Sequence, residues 1–411
     1  ADRKDIVIMR RVVITGMSPA CSLGSDHEEL FSNLCDKKQV LKKIEKDTPC
    51  KSKIRASYCV PFPDLEVNNK FADKLRQVKT KGSKSSYAAA KCALMAADDA
   101  GLEKVDDNTT VFVGSDTCSM EELTDQITGF DREQKMNIMM IPVTNQSSIA
   151  GWVTIALGAH GMSSIVNMAC ASSTAAIGLG YESILYGKTD MSVCGGSSLV
   201  ADKNLTLVKG LEYLKCASTD KEGRVYPFSE ERNGFLFCEG AASMVVLEEL
   251  EHAKARNARI YAEITGFESS SDAYGIVSMN PDGHIIEDML RKLIGDKKVD
   301  YYNAHGTATA LNDKVEADIL RRIFGDKENQ PAINTTKAIL GHSLAASGAL
   351  ETLVCVDSIR HSKIHGNICG TLFENLNITP ETREMEVNCA VSASFGFGGH
   401  NAALMFEKYE G

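Results

Sequence analysis

The residue with the clearest capacity for covalent chemistry is Cys170, in the segment 166–174, VNMACASST. A short apolar run ends there, small residues form a turn, and a helical pattern begins, which places the thiol at a helix N-terminus. Because the positive end of a helix dipole favours a thiolate, we predict a lowered pKa for Cys170. Its small neighbours leave room for a substrate. Cys170 is therefore a candidate nucleophile, and the alternative is a buried structural cysteine.

A first candidate histidine, His305, lies in the segment 301–313, YYNAHGTATALND, directly after an apolar strand pattern. In an α/β protein the C-terminal end of a strand faces the crevice where ligands bind. Thr307 and Thr309 add hydroxyl groups on alternate positions of the following loop. The alternative is a histidine that is satisfied within the core.

A second candidate, His342, lies in the segment 334–351, NTTKAILGHSLAASGALE. Lys337 precedes it, and Glu351 lies on the small-residue helix that follows, so the two charges could pair across a buried site. The alternative is a capped helix with a surface histidine and an ordinary ion pair.

Glycines and aromatic residues alternate in the segment 392–401, SASFGFGGHN, which contains Phe395 and Phe397. Such a loop is flexible enough to gate a pocket, and it could aim backbone N–H groups at an oxyanion. No GxGxxG pattern is present, so the segment is not a dinucleotide fingerprint. The alternative is a tight turn between core strands.

In combination and in this order, these motifs are similar to those of beta-ketoacyl carrier-protein synthases, the elongating condensing enzymes of the thiolase superfamily that use a Cys-His-His triad. The resemblance covers essentially the whole chain. The motif around His342 argues against the starter-type Cys-His-Asn enzymes and against simple thiolases. The motifs are ACASST, PFSEERNGFLFCEGAASMVVLEELEHAKAR, HGTATALNDKVEAD, KAILGHSLAASGALE and FGFGGHN.

The resemblance implies a role for each candidate. Cys170 would accept the acyl group, and His305 and His342 would donate hydrogen bonds to the thioester carbonyl of a malonyl unit. Lys337 and Glu351 would organise the site.

Phe397 would act as the gate beside Phe395, and its backbone N–H would form an oxyanion hole together with that of Cys170. Thr307 and Thr309 resemble the residues that hold a pantetheine arm. The resemblance implies no resident cofactor, because phosphopantetheine arrives on the carrier protein, and no catalytic metal. A structural monovalent cation near Asn303 is compatible with it.

The implied partner is an acidic acyl carrier protein, which requires a local basic face on a chain of net charge −10. Lys215 matches a position near the pocket mouth, and a basic cluster precedes the Ala-rich helix; its alternative explanation is a solvated charge run. The cluster consists of Lys74, Arg76, Lys79, Lys81 and Lys84. The acidic balance disfavours nucleic acid as a partner.

The chain departs from the family pattern at the pocket. Where Gly-Ser-Gly is common, the sequence 114–117 contains Asp116 and Thr117, and the loop 140–148 carries Asn145 and Gln146. Amide groups around a saturated tail would lack hydrogen-bond partners. We therefore predict that Thr117, Asn145 and Gln146 bind a polyketide or polyene chain. The alternatives are fatty-acid elongation and a catalytically silent chain-length partner.

The elements that position these residues alternate between apolar β-branched runs and helices, which predicts a mostly parallel sheet covered on both faces. The pattern restarts near residue 260, so we predict two α/β halves, 1–255 and 256–411. The resemblance implies that they form the five-layered αβαβα core of a thiolase-like fold. It also implies a homodimer, or a heterodimer with a ketosynthase-like chain-length factor.

Composition excludes other classes. The hydrophobic share of 43% and charged share of 24% are typical of globular chains. The 13 cysteines include no CxxC pair, which argues against a zinc ribbon or a redox pair. Their odd number in a long chain argues against a disulfide framework and favours a reducing, cytoplasmic setting. We also predict no membrane span.

Overall fold

A computed structural model describes residues 10–45, 54–65, 69–117, 120–132, 134–201 and 205–411. Its strands are β1 (Val12–Ala20), β2 (Lys42–Lys43), β3 (Tyr58–Cys59), β4 (Thr110–Gly114), β5 (Ser163–Val166), β6 (Met191–Leu199), β7 (Gly240–Glu249), β8 (Ala262–Ser271), β9 (Tyr301–Asn303), β10 (Ala332–Asn334), β11 (Lys363–Ile364), β12 (Arg383–Glu384), β13 (Cys389–Gly396) and β14 (His400–Glu407). Its α-helices are α1 (His27–Cys35), α2 (Ala72–Lys81), α3 (Lys84–Asp99), α4 (Met120–Asp131), α5 (Met140–Thr144), α6 (Ser147–Leu157), α7 (Ser172–Leu185), α8 (Thr206–Tyr213), α9 (Leu250–Ala255), α10 (His284–Ile294), α11 (Ala310–Phe324), α12 (Lys337–Leu340) and α13 (Ser347–His361).

Ten strands form one sheet made of two halves with the same internal order. The first half runs β5-β4-β6-β7-β1 and the second runs β10-β9-β13-β14-β8. In each half the three outermost strands are parallel, and the remaining pairings are antiparallel. The halves join where Val12–Ile14 of β1 pairs with 262–264 of β8. This is the duplication that the sequence predicts.

The prediction of a mostly parallel sheet is wrong, because antiparallel pairing joins β6 to β7, β7 to β1, β1 to β8, β8 to β14 and β14 to β13. The physical reason is burial. Strands β1, β6 and β7 are almost fully buried. An antiparallel strand covered on both faces shows the same continuous apolar run as a parallel one.

Helices cover the sheet in layers. α3 and α6 pack on the outer face of the first half, and α10 and α11 pack on the outer face of the second. α7 and α13 lie between the halves and are buried almost all round. The five-layered αβαβα arrangement is therefore confirmed. The boundary at 255/256 falls in the connection from α9 to β8 and stays a prediction.

α7 fits between the two half-sheets because a glycine on one of its faces has no side chain. A Cβ atom added to Gly178 would lie 2.3 Å from the ring of Phe267 on β8. Any larger residue would force the helix away from the second half. Within the described residues no helix is long and apolar enough to cross a membrane, and the cysteines are free.

Candidate active site

Cys170 lies in a tight turn between β5 and α7. The hydroxyl of Ser172 accepts the N–H of Met168 at 2.9 Å and donates to the carbonyl of Ala169 at 2.6 Å, which closes the turn. The end of β13 packs against it: a Cβ atom on Gly396 would lie 3.1 Å from the backbone nitrogen of Cys170. Only glycine permits this approach. The fold thus fixes the thiol at the seam between the two halves.

His342 approaches the thiol from the loop before α13. Its Nε2 lies 3.2 Å from Cys170 Sγ. The backbone N–H of Leu344 donates to its Nδ1 at 3.3 Å, and the hydroxyl of Ser347 lies 3.0 Å from the same nitrogen. Because Nδ1 accepts a hydrogen bond, the proton of the neutral ring is on Nε2. His342 therefore presents a donor at the position of the reacting sulfur.

His305 follows β9 in a loop held by a buried carboxyl. Glu316 on α11 accepts the backbone N–H groups of His305 at 2.8 Å and of Gly306 at 2.9 Å. The ring centroids of His305 and His342 are 5.5 Å apart. Glu316 was not predicted as a site residue. Its position within the HGTATALNDKVEAD motif was the available signal.

Lys337 and Glu351 form a fully buried ion pair behind the two histidines, with Nζ 2.5 Å from Oε1. Thr336 donates its hydroxyl to the same oxygen at 3.1 Å. Burial lowers the pKa of both His305 and His342 well below the ordinary value, and the Lys337 charge acts in the same direction. Both imidazoles are therefore neutral at physiological pH.

A cavity of about 740 Å³ reaches these groups from the surface. Thr117, Lys215 and Asp116 line it, together with the leucines of α8. Further predicted site residues that line it are Cys170, His305, Thr307, Thr309, His342, Phe395 and Phe397. The Thr307 and Thr309 hydroxyls lie 2.9 Å apart. The sequence marks Asp116 only as a departure from the family pattern and does not predict its position on the cavity wall.

The predicted oxyanion donors are the backbone N–H groups of Cys170, in the turn between β5 and α7, and of Phe397, in the turn that follows β13. Within the described chain, no hydrogen bond engages the backbone N–H of Cys170 or of Phe397. Both residues line the cavity. The two N–H groups are thus available to a thioester oxygen, as the predicted role requires.

Comparison with known proteins decides the family. Residues 9–253 match the N-terminal domain of beta-ketoacyl synthases, and residues 261–370 match their C-terminal domain. The chain belongs to the beta-ketoacyl synthase family. It is a condensing enzyme of ketosynthase type.

Relatives match over the full length. The chain is 31% identical to 3-oxoacyl-[acyl-carrier-protein] synthase 2 of Staphylococcus aureus strain N315, over 98% of this chain and 99% of the relative. The structure of the ishigamide ketosynthase/chain length factor superposes with a TM-score of 0.85 at 26% identity, covering 98% and 100% of the two chains. A type II PKS acyl-carrier protein complex with its ketosynthase, bound to the hexaketide, gives 0.85 at 25% identity with the same coverage.

Two of the predicted substrate-binding residues do not line the cavity of this ketosynthase chain. Asn145 is exposed, and its side-chain oxygen accepts the backbone N–H and hydroxyl of Ser147 at the start of α6. Gln146 donates to the backbone carbonyl of Asp116 at 2.8 Å. The expectation that these amides face the acyl chain is therefore not met within the described chain, because local backbone groups take their hydrogen bonds.

The predicted basic cluster is exposed on α2, except for Lys84, which is the first residue of α3. Leu75 and Val78 anchor this helix on the outer layer of the first half. Lys215 lines the cavity, whereas α2 does not. Lys84 forms an ion pair with Glu121 at 2.8 Å. Carrier binding by α2 stays a prediction.

The predicted pKa of Cys170 is wrong in direction. Burial raises the pKa of this thiol to about 12, the Asp116 carboxyl adds to the rise, and the Lys337 charge only partly opposes it. The turn does precede a helix, but burial is the largest effect on the pKa of this thiol. Cys170 is therefore a neutral thiol at physiological pH.

We predict that alkylation of Cys170 by iodoacetamide accelerates about tenfold per pH unit between about pH 6 and pH 9, without a plateau. The thiolate fraction of a group with pKa near 12 rises in proportion to hydroxide throughout that range. Mass spectrometry of the peptide that contains Cys170 measures the rate. Cys216, in the same cavity, is the internal control for reagent access. A plateau near neutrality would show that the helix dipole outweighs burial.

Proposed function

We propose that this chain is a 3-oxoacyl-[acyl-carrier-protein] synthase that condenses malonyl-carrier protein with an acyl chain held on Cys170. One observation carries the proposal. Sγ of Cys170 and one ring nitrogen each of His305 and His342 lie within 4.8 Å of one another at the cavity wall. Two neutral donors beside a nucleophile suit a reaction in which negative charge develops on a thioester oxygen.

The first half-reaction moves the acyl group. Sγ of Cys170 attacks the carrier thioester carbonyl and forms a new C–S bond. The C–S bond to pantetheine breaks, and the thiol proton passes to the departing sulfur. The backbone N–H groups of Cys170 and Phe397 stabilise the tetrahedral oxyanion. Splitting the condensation into two thioester steps is covalent catalysis.

The second half-reaction forms the carbon–carbon bond. The malonyl carboxylate leaves as carbon dioxide, and its bonding electrons become an enolate whose oxygen receives hydrogen bonds from His305 and His342. The carbanion then attacks the acyl-Cys170 carbonyl. The C–S bond breaks, and the sulfur takes up one proton. The products are the 3-oxoacyl-carrier protein, free carrier thiol and carbon dioxide.

We propose further that the chain on Cys170 is of polyketide type. The support is the similar type II PKS ketosynthase, whose structure is bound to the hexaketide. Fatty-acid elongation is the second candidate. It is favoured by the apolar wall that Leu207, Leu211 and Leu214 form. A silent chain-length partner is disfavoured because the nucleophile and both histidines are in reach of one another.

We propose that the working unit contains a second ketosynthase-fold subunit. β5 is an edge strand that pairs only with β4 in the described sheet, and an unpaired edge invites another strand. Exposed apolar side chains come from α4, α6 and their neighbours. They are Ile127, Phe130, Ile138, Ile141, Ile155 and Met162.

We propose a structural monovalent cation beside the buried ion pair. Oδ1 of Asn303, Oε2 of Glu351 and Oγ of Ser392 are buried and have no hydrogen-bond partner among the residues that the structure describes. Asn303 and Ser392 are paired across β9 and β13, and α13, which carries Glu351, packs on these strands. Three oxygen donors of this kind suit a hard cation. When bound, the ion would neutralise part of the Glu351 charge; no reaction step requires it.

We predict that the purified enzyme forms an acyl adduct on Cys170 when it is incubated with acyl-carrier protein, and that Cys170→Ala abolishes it. His305→Ala and His342→Ala should retain acylation but lose about 10²–10³-fold in condensation, because each removes one oxyanion donor. Intact and native mass spectrometry measure the adduct and the subunit composition. Near-wild-type condensation by either histidine variant would overturn the assignment.

We predict that the double variant Lys79→Glu, Lys81→Glu weakens carrier-protein binding about tenfold and flattens its salt dependence. The matched control is the double variant Lys298→Glu, Lys408→Glu. It makes the same charge change on two exposed lysines, one shortly before β9 and one directly after β14. Titration at two salt concentrations measures both. Equal losses in the two variants would assign the effect to net charge.

We predict that potassium chloride stabilises the fold relative to an equal concentration of N-methylglucamine chloride. Saturation of a native-state site at about 100 times its Kd adds about 2.7 kcal/mol. Thermal unfolding measures the difference. Ser392→Ala removes one oxygen that has no other partner, and it should reduce the effect. Identical melting curves in both salts would rule out the cation.

A further inference from the structure

Asp116 is the one carboxyl-bearing residue on the wall of the reaction cavity, among the residues that the structure describes. It lies just after β4, and the wall that it shares includes Cys170 and Leu344. The rest of this region is largely apolar. Burial raises the pKa of Asp116, and the hydrogen bonds from Ser198, Thr117 and Ala345 act in the opposite direction. A carboxyl group here requires an explanation, because a charge that is removed from water is costly unless it is paired.

The two oxygens of Asp116 differ in their bonding. Oδ1 accepts the Ser198 hydroxyl at 2.8 Å and the backbone N–H of Thr117 at 2.8 Å. Among the residues that the structure describes, the one hydrogen bond to Oδ2 comes from the backbone N–H of Ala345, at 3.4 Å. A carboxylate can accept about two hydrogen bonds per oxygen. Oδ1 therefore anchors the side chain, and Oδ2 has capacity for a further donor.

We propose that Asp116 is a specificity-determining residue, whose Oδ2 accepts a hydrogen bond from a hydroxyl group on the acyl chain bound to Cys170. This inference rests on the proposed synthase function and specifies its acyl substrate as a hydroxylated chain. A methylene group cannot donate to Oδ2. A ketone oxygen can only accept, so it would meet Oδ2 with lone pairs on both sides.

A purely structural role does not account for the charge. Oδ1 accepts from Ser198 and from both the N–H and the hydroxyl of Thr117, and an asparagine oxygen could accept the same hydrogen bonds; only the long bond from Ala345 requires the second oxygen. The carboxylate also works against the chemistry, since it raises the pKa of Cys170 and opposes negative charge nearby. A hydroxyl donor from the substrate would share that charge and reduce this opposition.

The test measures acyl transfer to Cys170 in the full-length enzyme by intact mass spectrometry. The donors are carrier-protein thioesters of octanoate, of octanoates with a hydroxyl on the third, fifth or seventh carbon, and of the matching ketones. For at least one position we expect the hydroxylated chain to exceed the unsubstituted chain by about tenfold or more in kcat/KM. Equal rates for all chains, or a preference for the ketone, would overturn the inference.

Two variants assign the preference to Asp116. Asp116→Ala should bring the ratio of hydroxylated to unsubstituted chains to about one. In Asp116→Asn the oxygen stays with Ser198 and Thr117, so the amide NH2 replaces Oδ2. The long hydrogen bond from Ala345 is then lost, and the preference should move from the hydroxyl to the ketone. If Asp116→Ala does not fold, the result for Asp116→Asn alone tests whether Asp116 causes the preference.

The matched control is Glu212→Gln. Glu212 is a buried carboxyl on α8 whose oxygen accepts the backbone N–H groups of Arg55 and Ala56, and it does not line the cavity. Its substitution should leave the ratio unchanged. A preference that persists in Asp116→Ala, or that Glu212→Gln removes equally, would overturn the inference. Absence of any adduct on Cys170 would instead contradict the proposed synthase function.

Discussion

The site depends on the close contact between α7 and the start of α13 at the seam between the two halves. A Cβ atom on Gly348 would lie 1.9 Å from Oγ1 of Thr174. The backbone of α13 is therefore in direct contact with α7 at this glycine. The backbone N–H of Ala349 donates to the hydroxyl of Ser173 at 2.9 Å. Because Cys170 precedes α7 and His342 precedes α13, this contact sets the distance between the sulfur and the imidazole. Any residue larger than glycine would separate the reacting groups before it disturbed the sheet.

The electrostatics of the site follow from burial at the same seam. A lysine is tolerated there because Glu351 pairs with it, and removing one partner of such a pair would leave an uncompensated buried charge. Burial keeps His305 and His342 neutral by lowering the pKa of each, and the charge of Lys337 acts in the same direction. A neutral imidazole donates a hydrogen bond without holding the charge of an imidazolium. Both donors can therefore act on an enolate and release the neutral product.

Sequence alone predicted the positions of the reacting groups, because each is marked by a motif with a local cause. Cys170 follows a strand and precedes a helix of small residues, and His305 follows a strand. Each of these patterns is contained in a segment of about ten residues. The direction of the Cys170 pKa shift was missed because desolvation depends on residues distant in the chain. Strand direction was missed because burial on both faces removes the alternation that would distinguish the pairings.

Side-chain direction in the pocket was the least predictable feature. Asn145 and Gln146 have the chemistry of substrate ligands, yet their hydrogen bonds go to Ser147 and to the carbonyl of Asp116. Short polar side chains satisfy nearby backbone groups before distant ones. No local pattern reveals which polar residue keeps an unused acceptor. That property emerged for Asp116 only when both of its oxygens could be followed to their partners.

The duplication also divides the chemistry. The first half supplies Cys170 and the acyl-side wall at the end of β4, whereas the second half supplies His305, His342 and the turn that carries Phe397. Within the described residues, Asp116 is anchored to β6 through Ser198, and its hydrogen bond to the second half is the long one from Ala345, so a substitution of Asp116 need not move the two imidazoles. In a fold of this kind, a substitution in the wall can alter the choice of acyl chain without altering the groups that act in decarboxylation of the malonyl unit.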